Sequence, residues 1–305
     1  MFSESNKALA TSSFRKQSTL PTKISNGVIL CRINHTNGRP EVLLAHKRYT
    51  YAFADFIHGQ YAWGHVHHTL MGTASHLFNN MTVEELLDIW SLRFDQMWYR
   101  VWLMGGSVES YKKKAAKFAS TFIDGDGGVA LRNAIKMVRG KGVLLWEVPK
   151  GRRLNQNELD VGCAVRELAE ETGYTKDSYQ LIPNVRKQVS HVSDGVRYNC
   201  VYFLALLNPD DTLTRNDTMT LQMIREMGEI NETRWFDIEQ IRMLKCPWID
   251  KLIAPSFKLI KTYINGKWDR RVRIDYGRNA LLTAASKQVE KEKKEKQESP
   301  NIFKI

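Results

Sequence analysis

Residues 146–174 read WEVPKGRRLNQNELDVGCAVRELAEETGY. The stretch opens like a strand, turns at Pro149 and Gly151, and then gathers five acidic residues, Glu158, Asp160, Glu167, Glu170 and Glu171, into a segment of helical character. On a helix Glu167, Glu170 and Glu171 stand at i, i+3 and i+4, so their carboxylates share one face. Val161, Ala164, Val165 and Leu168 form a different stripe, suited to packing on a sheet. Like charges at this spacing repel one another. A cation among them removes that cost, and hard oxygen ligands suit Mg²⁺ or Mn²⁺ rather than zinc. Arg166 is placed to hold one carboxylate in orientation. Gly151 permits a tight turn that brings a backbone carbonyl toward such an ion. For an arbitrary run of glutamates a merely solvated helix face is the better reading; here the spacing of the flanking residues decides.

The acidity of this segment runs against the rest of the chain. The 305 residues hold 45 Lys+Arg against 33 Asp+Glu, a net charge of +12. Residues 132–153 carry seven basic residues against Glu147, residues 258–278 carry seven against Asp269 and Asp275, and YKKKAAK (111–117) adds four lysines. Such a field favours a polyanionic partner: RNA, DNA or a phosphorylated metabolite. Basic surfaces also simply keep proteins soluble, so composition leaves both readings open. Apolar content of 43% and charged content of 26% are ordinary for a globular protein. No run approaches the roughly 18 apolar residues of a membrane span. The polar residues 1–23 lack the apolar core of a secretory signal and read as a flexible arm. Cys31, Cys163, Cys200 and Cys246 lie far apart, which excludes a disulfide scaffold and a CxxC zinc site and fits a reducing compartment such as the cytoplasm. GHVHH (64–68) has no partner ligands at zinc-like spacing and reads as a loop.

Residues 24–33 and 41–47 read as a hairpin around NHTNGRP. Residues 82–103 have helical apolar spacing, opened by a capping box of Thr82 and Glu85. Further helices are expected over 108–122 and 128–139, parted by the breaker DGDGG. Strand signals resume at 143–148, followed by a helix over 158–172, strands near 185–191, 196–207 and 233–238, and helices over 237–245 and 250–264. The tail after Leu282 alternates Lys and Glu and reads as a solvated helix or as disordered. The expected fold is α/β, a mixed sheet between helices, built from 24–49 and 141–265. A mostly helical insert over 50–140 interrupts it, and a basic extension over 266–305 follows.

The quoted stretch resembles the Nudix box, G-x5-E-x7-R-E-U-x-E-E-x-G-U, with U a bulky apolar residue. Glu158, Arg166, Glu167, Leu168, Glu170, Glu171, Gly173 and Tyr174 fall at matching positions. One departure stands out: six residues rather than five separate Gly151 from Glu158, so the loop before the helix is longer. The resemblance implies a hydrolase of nucleoside diphosphates linked to another group. Its ions would be held by Gly151, Glu167, Glu170 and Glu171, and its catalytic set would be Glu170, Arg166 and a base from outside the box. MGEINETRWFDIEQI (227–241) looks like the corresponding stretch of decapping Nudix enzymes, which points to Glu229, with Glu226 and Glu232 as competitors.

KRYTYAFADFIHG (47–59), LFNNMT (77–82), FDQMWYRVW (94–102), YKKKAAKF (111–118) and LLWEVPKG (144–151) are further similar to the mRNA-decapping Nudix hydrolases of African swine fever virus, poxviruses and giant viruses. That likeness covers about residues 24–265. It implies cleavage of capped mRNA to m7GDP and 5′-monophosphate RNA, RNA contacts from the insert and, if the chain is viral, action in the host cytoplasm. Lys112, Lys113, Lys114 and Lys117 in the insert, with Lys150, Arg152 and Arg153 before the acidic helix, are the expected RNA contacts. Methylated guanine is a flat cation that aromatic rings can sandwich. By resemblance Tyr51 and Tyr202 match the stacking positions and Asp194 the acid, although core packing is the alternative for Tyr51, Phe53 and Tyr202. Inositol pyrophosphates are a second substrate class the resemblance allows, a non-catalytic RNA- or cap-binding protein is a reading of another kind, and a homodimer is compatible with both.

Overall fold

In the computed structural model of the chain, residues 20–61, 73–103, 106–193, 196–209, 227–266 and 274–276 are described. A mixed eight-stranded sheet organises the protein. Strands β1 (Thr22–Ile33) and β2 (Pro40–Lys47) form the expected hairpin, Cys31 opposite Val42. β1 also runs parallel to β6 (Val196–Leu207), and β6 pairs antiparallel with β5 (Tyr179–Ser193). β3 (Trp146–Glu147) and β7 (Ile230–Phe236) pair with β2, β4 (Lys150–Gly151) pairs with β1, and β8 (Ile274–Tyr276) lies parallel to β5.

Side-chain alternation along β1 and β2 feeds two cores. Val28, Leu30 and Leu43 meet Ala164 and Leu168 of helix α7 (Asp160–Thr172) on one face. Ile29, Cys31, Val42 and Leu44 meet Ile249, Leu252, Ile253, Phe257 and Ile260 of helix α9 (Pro247–Ile264) on the other, with the short α8 (Ile238–Met243) leading into α9. The sheet is thus sandwiched by helices.

A third core consists wholly of residues between Tyr49 and Ile135. Its helices are α1 (Tyr51–Ile57), α2 (Thr73–Asn79), α3 (Val83–Trp90), α4 (Phe94–Trp102), α5 (Val108–Phe118), continued by a π-helical turn over Ala119–Ile123, and α6 (Val129–Lys136). One buried carboxylate joins two of them. Glu85 closes the capping box of α3 by accepting from Thr82 N at 2.9 Å, and also accepts from Thr50 N at 2.6 Å and Thr50 Oγ1 at 2.7 Å, where Thr50 caps α1.

Several expectations need correcting. The single helix over 82–103 is two, because Leu92 adopts a left-handed φ of 61°. Its side chain fills the space that a Cβ on Gly128 would occupy, so packing holds a conformation that leucine otherwise avoids. The strand over 143–148 shrinks to two residues, with Val143 exposed. The Glu helix starts at Asp160 rather than Glu158. β5 begins at Tyr179 and passes Pro183 through an irregularity in its register, with Asn184 at φ 61°. β1 begins inside the arm expected to end at residue 23. GHVHH, Asp194 and the Lys/Glu tail lie outside the described residues. Among the described residues no helix is long and apolar enough to cross a membrane.

Candidate active site

The acidic helix faces the ends of β1, β2 and β4. β4 crosses β1 at Gly27, where a Cβ would lie 2.3 Å from the Pro149 carbonyl oxygen, so only glycine lets the loop approach this closely. That approach seats Gly151 against α7. A Cβ on Gly151 would fall within 2.2 Å of the Glu167 carboxylate oxygens, so the glycine opens the space into which Glu167 points.

The three glutamates do not stay together on one face. Arg166 gathers two of them: its Nη1 donates to Glu167 Oε1 at 2.7 Å and to Glu170 Oε2 at 2.9 Å. Its Nε donates to Glu158 Oε1 at 2.8 Å and its Nη2 to the Arg152 carbonyl at 2.9 Å. The guanidinium therefore pins the long loop to the helix and holds three carboxylates at once. Its hydrogen bonds to those carboxylates, Glu158 first, raise its own pKa above the usual range. Burial pushes the Glu167 carboxyl up to about 7, although Arg166 opposes the shift.

Glu171 turns inward instead. It is 7% exposed, accepts from Lys47 Nζ at 3.1 Å through Oε1 and from the Lys150 backbone N at 3.2 Å through Oε2. Burial raises its pKa, and the charge of Lys47 works against that. Lys47 Nζ also donates to Glu229 Oε2 at 3.1 Å. Burial disfavours the charged ammonium, but Glu171 and Glu229 outweigh it and hold the Lys47 pKa above its ordinary value.

Glu229 sits in a 3₁₀ turn (Met227–Glu229) leading into β7, with its side chain largely exposed. It is thus brought within one ammonium of Glu171. Glu232, on β7, pairs with His46 of β2 and Arg234 of its own strand instead, and Glu226 lies outside the described residues.

A second polar group lies beside the first. Lys150 Nζ donates to Glu147 Oε2 at 2.6 Å and to the Tyr51 hydroxyl at 3.1 Å, and that hydroxyl donates to Glu147 at 2.6 Å. The Tyr51 residue is nonetheless 53% exposed, so a ring face is presented while the hydroxyl is anchored. A crevice of about 280 Å³ opens here, lined by Lys47, Tyr49, Tyr51, Asn80, Lys141 and Leu145 among others. A larger groove, about 650 Å³, lies between α8 and α9 at the other end of β2, remote from these carboxylates.

Other expected contacts are placed differently. Tyr202 is 2% exposed and packs in the α9-side core opposite Gly27, so it cannot stack on a ligand as it stands. Lys114 and Lys117 donate to the carbonyls of His58 and Gly59, satisfying the end of α1, although Lys117 remains exposed. Lys150 is committed to Glu147, and Arg153 to Asp160 at 2.6 Å. Lys112, Lys113 and Arg152 are exposed. Lys47 and Glu147 were not singled out from the sequence. The only local signal for Lys47 is a charge at the end of the apolar stretch VLLA, and for Glu147 a single acid amid seven basic residues.

Among the described residues no three His, Cys, Asp or Glu side chains already converge as a ligand set: Arg166 bridges Glu167 and Glu170, and Lys47 takes Glu171. The donors themselves suit a hard ion: Glu167, Glu170 and Glu171 supply carboxylate oxygens and the Gly151 carbonyl is adjacent, approached by the weak thiol donor of Cys163 at 3.6 Å.

Residues 119–257 match the NUDIX domain family. The chain is 36% identical over 251 residues to mRNA-decapping protein g5R of African swine fever virus (isolate Warthog/Namibia/Wart80/1980), covering 80% of this chain and 98% of that protein. A putative mRNA-decapping protein of Acanthamoeba polyphaga mimivirus is 35% identical over 99 residues, 31% of this chain and 25% of that protein. The solved structure of a C. elegans Ap4A hydrolase binary complex is similar with 13% identity and a TM-score of 0.36, covering 80% of this chain and 98% of that one. The Arg166 clasp on the Nudix-box carboxylates and the likeness to g5R over 80% of this chain lead to one conclusion: this chain belongs to the Nudix hydrolase family.

Proposed function

We propose that the protein is a metal-dependent mRNA-decapping hydrolase, cleaving m7GpppRNA to m7GDP and 5′-monophosphate RNA in the cytoplasm of an infected cell. The observation that carries this reading is the 36% identity with g5R over 251 residues, 80% of this chain, a span too long to lie in the sheet or the insert alone. The Arg166–Glu158–Glu167–Glu170 clasp supports it from the geometry.

Glu167, Glu170, Glu171 and the Gly151 carbonyl would hold Mg²⁺ or Mn²⁺. When bound, such an ion would supply charge neutralisation at the pyrophosphate and would lower the pKa of a water. Arg166 keeps two of the carboxylates in place, acting as a positioning residue. Glu229, exposed and tethered by Lys47, takes the proton of the water at a carboxylate oxygen. Tyr51 offers its ring face to the methylated base, with Glu147 and Lys150 fixing the ring's far end. Exposed Lys112, Lys113 and Arg152 meet RNA phosphates.

The test uses cap-labelled RNA with Mg²⁺, Mn²⁺ or EDTA, comparing wild type with Glu171→Gln. Release of m7GDP by the wild type alone, abolished by EDTA, is the expected result. RNA binding without release by the wild type would sink the proposal and make a small phosphorylated substrate, such as an inositol pyrophosphate, or a binding role the next to examine.

A further inference from the structure

Lys47 is the last residue of β2, and the register with β7 shifts between His46 and Lys47. Such irregularities re-aim a side chain, and here the side chain goes inward: the residue is 6% exposed. Its ammonium lies 3.1 Å from one oxygen of Glu171 and 3.1 Å from one oxygen of Glu229, residues 124 and 182 positions away in the chain. With the Lys150 backbone N on the other oxygen, both oxygens of Glu171 are engaged. Glu167 and Glu170 differ. Arg166 takes one oxygen of each, and among the described residues the second oxygen of each accepts no hydrogen bond.

Two carboxylates are therefore ready to receive a cation, and the third can do so only by giving up a partner. The backbone donor is fixed by the β1–β4 pairing, whereas the lysine side chain can swing.

We infer that Lys47 is an internal counter-ion, a positioning residue that holds Glu171 and Glu229 together before a divalent ion arrives. It yields Glu171 to that ion while keeping Glu229 beside the site. This inference rests on the metal reading of the acidic helix given above. It assigns Lys47 two opposed effects. Its positive charge competes with the incoming ion, and its tether keeps the proton acceptor in reach. A residue that merely filled space would have neither.

The experiment uses the full chain without RNA. Mn²⁺ binding is titrated by calorimetry for wild type, Lys47→Arg and Lys47→Met, and thermal unfolding is followed against Mn²⁺ concentration. Lys47→Met is expected to bind Mn²⁺ more tightly, about fivefold or more, because a like charge has left the site. Its unfolding midpoint should gain more from Mn²⁺ than that of the wild type, a readout that survives if the variant is destabilised without metal. In decapping, Lys47→Met should lose kcat despite the tighter ion, and Lys47→Arg should restore both properties. Equal or weaker Mn²⁺ binding, with no larger gain in the midpoint, overturns the inference. So does an unchanged kcat. A wild type that binds no Mn²⁺ at all would instead remove the metal reading itself.

Discussion

Glu85 and Glu171 are both buried carboxylates, and their surroundings assign them different work. Glu85, fully buried in the helical insert, accepts only from uncharged donors, the backbone N–H groups of Thr50 and Thr82 and the Thr50 hydroxyl. Those donors are fixed at two helix starts, so the carboxylate is a joint between α1 and α3. Glu171, on α7, accepts from a lysine that is itself shared with a second carboxylate. A charge held by rigid neutral dipoles has nothing to exchange. One held by a mobile cation can trade it for another. The difference teaches where to look for chemistry: in the carboxylate whose partner can leave, not in the most deeply buried one.

The sharpest way to break this comparison is to neutralise each acid in turn. Glu171→Gln keeps shape and removes charge, and decapping should fall by about a thousandfold, roughly 4 kcal/mol of barrier. Thermal stability and RNA affinity should stay near wild type, as melting curves and filter binding would check. Glu85→Ala should do the reverse. It strands two helix-start N–H groups in the core and should cost about 3 kcal/mol of stability. The kcat of the protein that remains folded should be unchanged in single-turnover assays. A Glu85 variant that is stable but inactive would erase the distinction.

A third buried charge sharpens it. Lys187 on β5, 6% exposed, donates to the carbonyls of Leu252 and Lys251 in α9. Pro255 within that helix has no N–H for the Lys251 carbonyl, and the lysine supplies a donor in its place. Burial lowers its pKa to about 8. The folded state then binds fewer protons than the unfolded one between about pH 8 and 10.5, so this residue makes stability rise with pH across that window. Below about pH 8 the penalty is fully present, at most about 3 kcal/mol before the carbonyl bonds offset it. Lys187→Met should narrow its stability gap to the wild type, or gain on it, as pH falls from 10 to 7. Denaturant midpoints at four pH values would show it, and a gap that does not change with pH would mean the ammonium is not desolvated.

Much of this was legible in residues 146–174. The spacing of Glu158, Arg166, Glu167, Glu170 and Glu171 implied a helix, and the capping box of Thr82 and Glu85 is present as read. Local patterns stop where distant segments decide. Lys47 meets Glu171 only because β2, α7 and the turn before β7 converge, and nothing near residue 47 announces that. Tyr202 looked available for stacking because its neighbours NCV and FLAL do not reveal that β6 runs parallel to β1 with Tyr202 opposite Gly27. The break at Leu92 is set by a cavity over Gly128, which helical periodicity cannot see. The division of the glutamates between Arg166 and Lys47 follows from which oxygens face the sheet, a property of three-dimensional packing.

The smallest expected effect concerns the insert's lysines, where the same contrast between committed and exchangeable partners applies. Lys114 and Lys117 are bonded to carbonyls at the end of α1, Lys117 from an exposed position, whereas the exposed side chains of Lys112 and Lys113 make no hydrogen bond among the described residues. If phosphate contact belongs to the uncommitted pair, Lys112→Ala with Lys113→Ala should weaken RNA binding severalfold and lower the salt dependence of log K by about 1.4, at about 0.7 per contact on a single strand. Turnover of an unattached cap dinucleotide should not change. Lys114→Ala with Lys117→Ala should instead loosen the end of α1, lowering stability by about 1 kcal/mol while leaving the salt slope near that of the wild type. The slope separates the two pairs cleanly, because it counts released counterions and is indifferent to how well a helix end is capped. A salt slope that falls equally for both pairs would mean that the carbonyl bonds of Lys114 and Lys117 open when RNA binds, and that all four lysines belong to one surface.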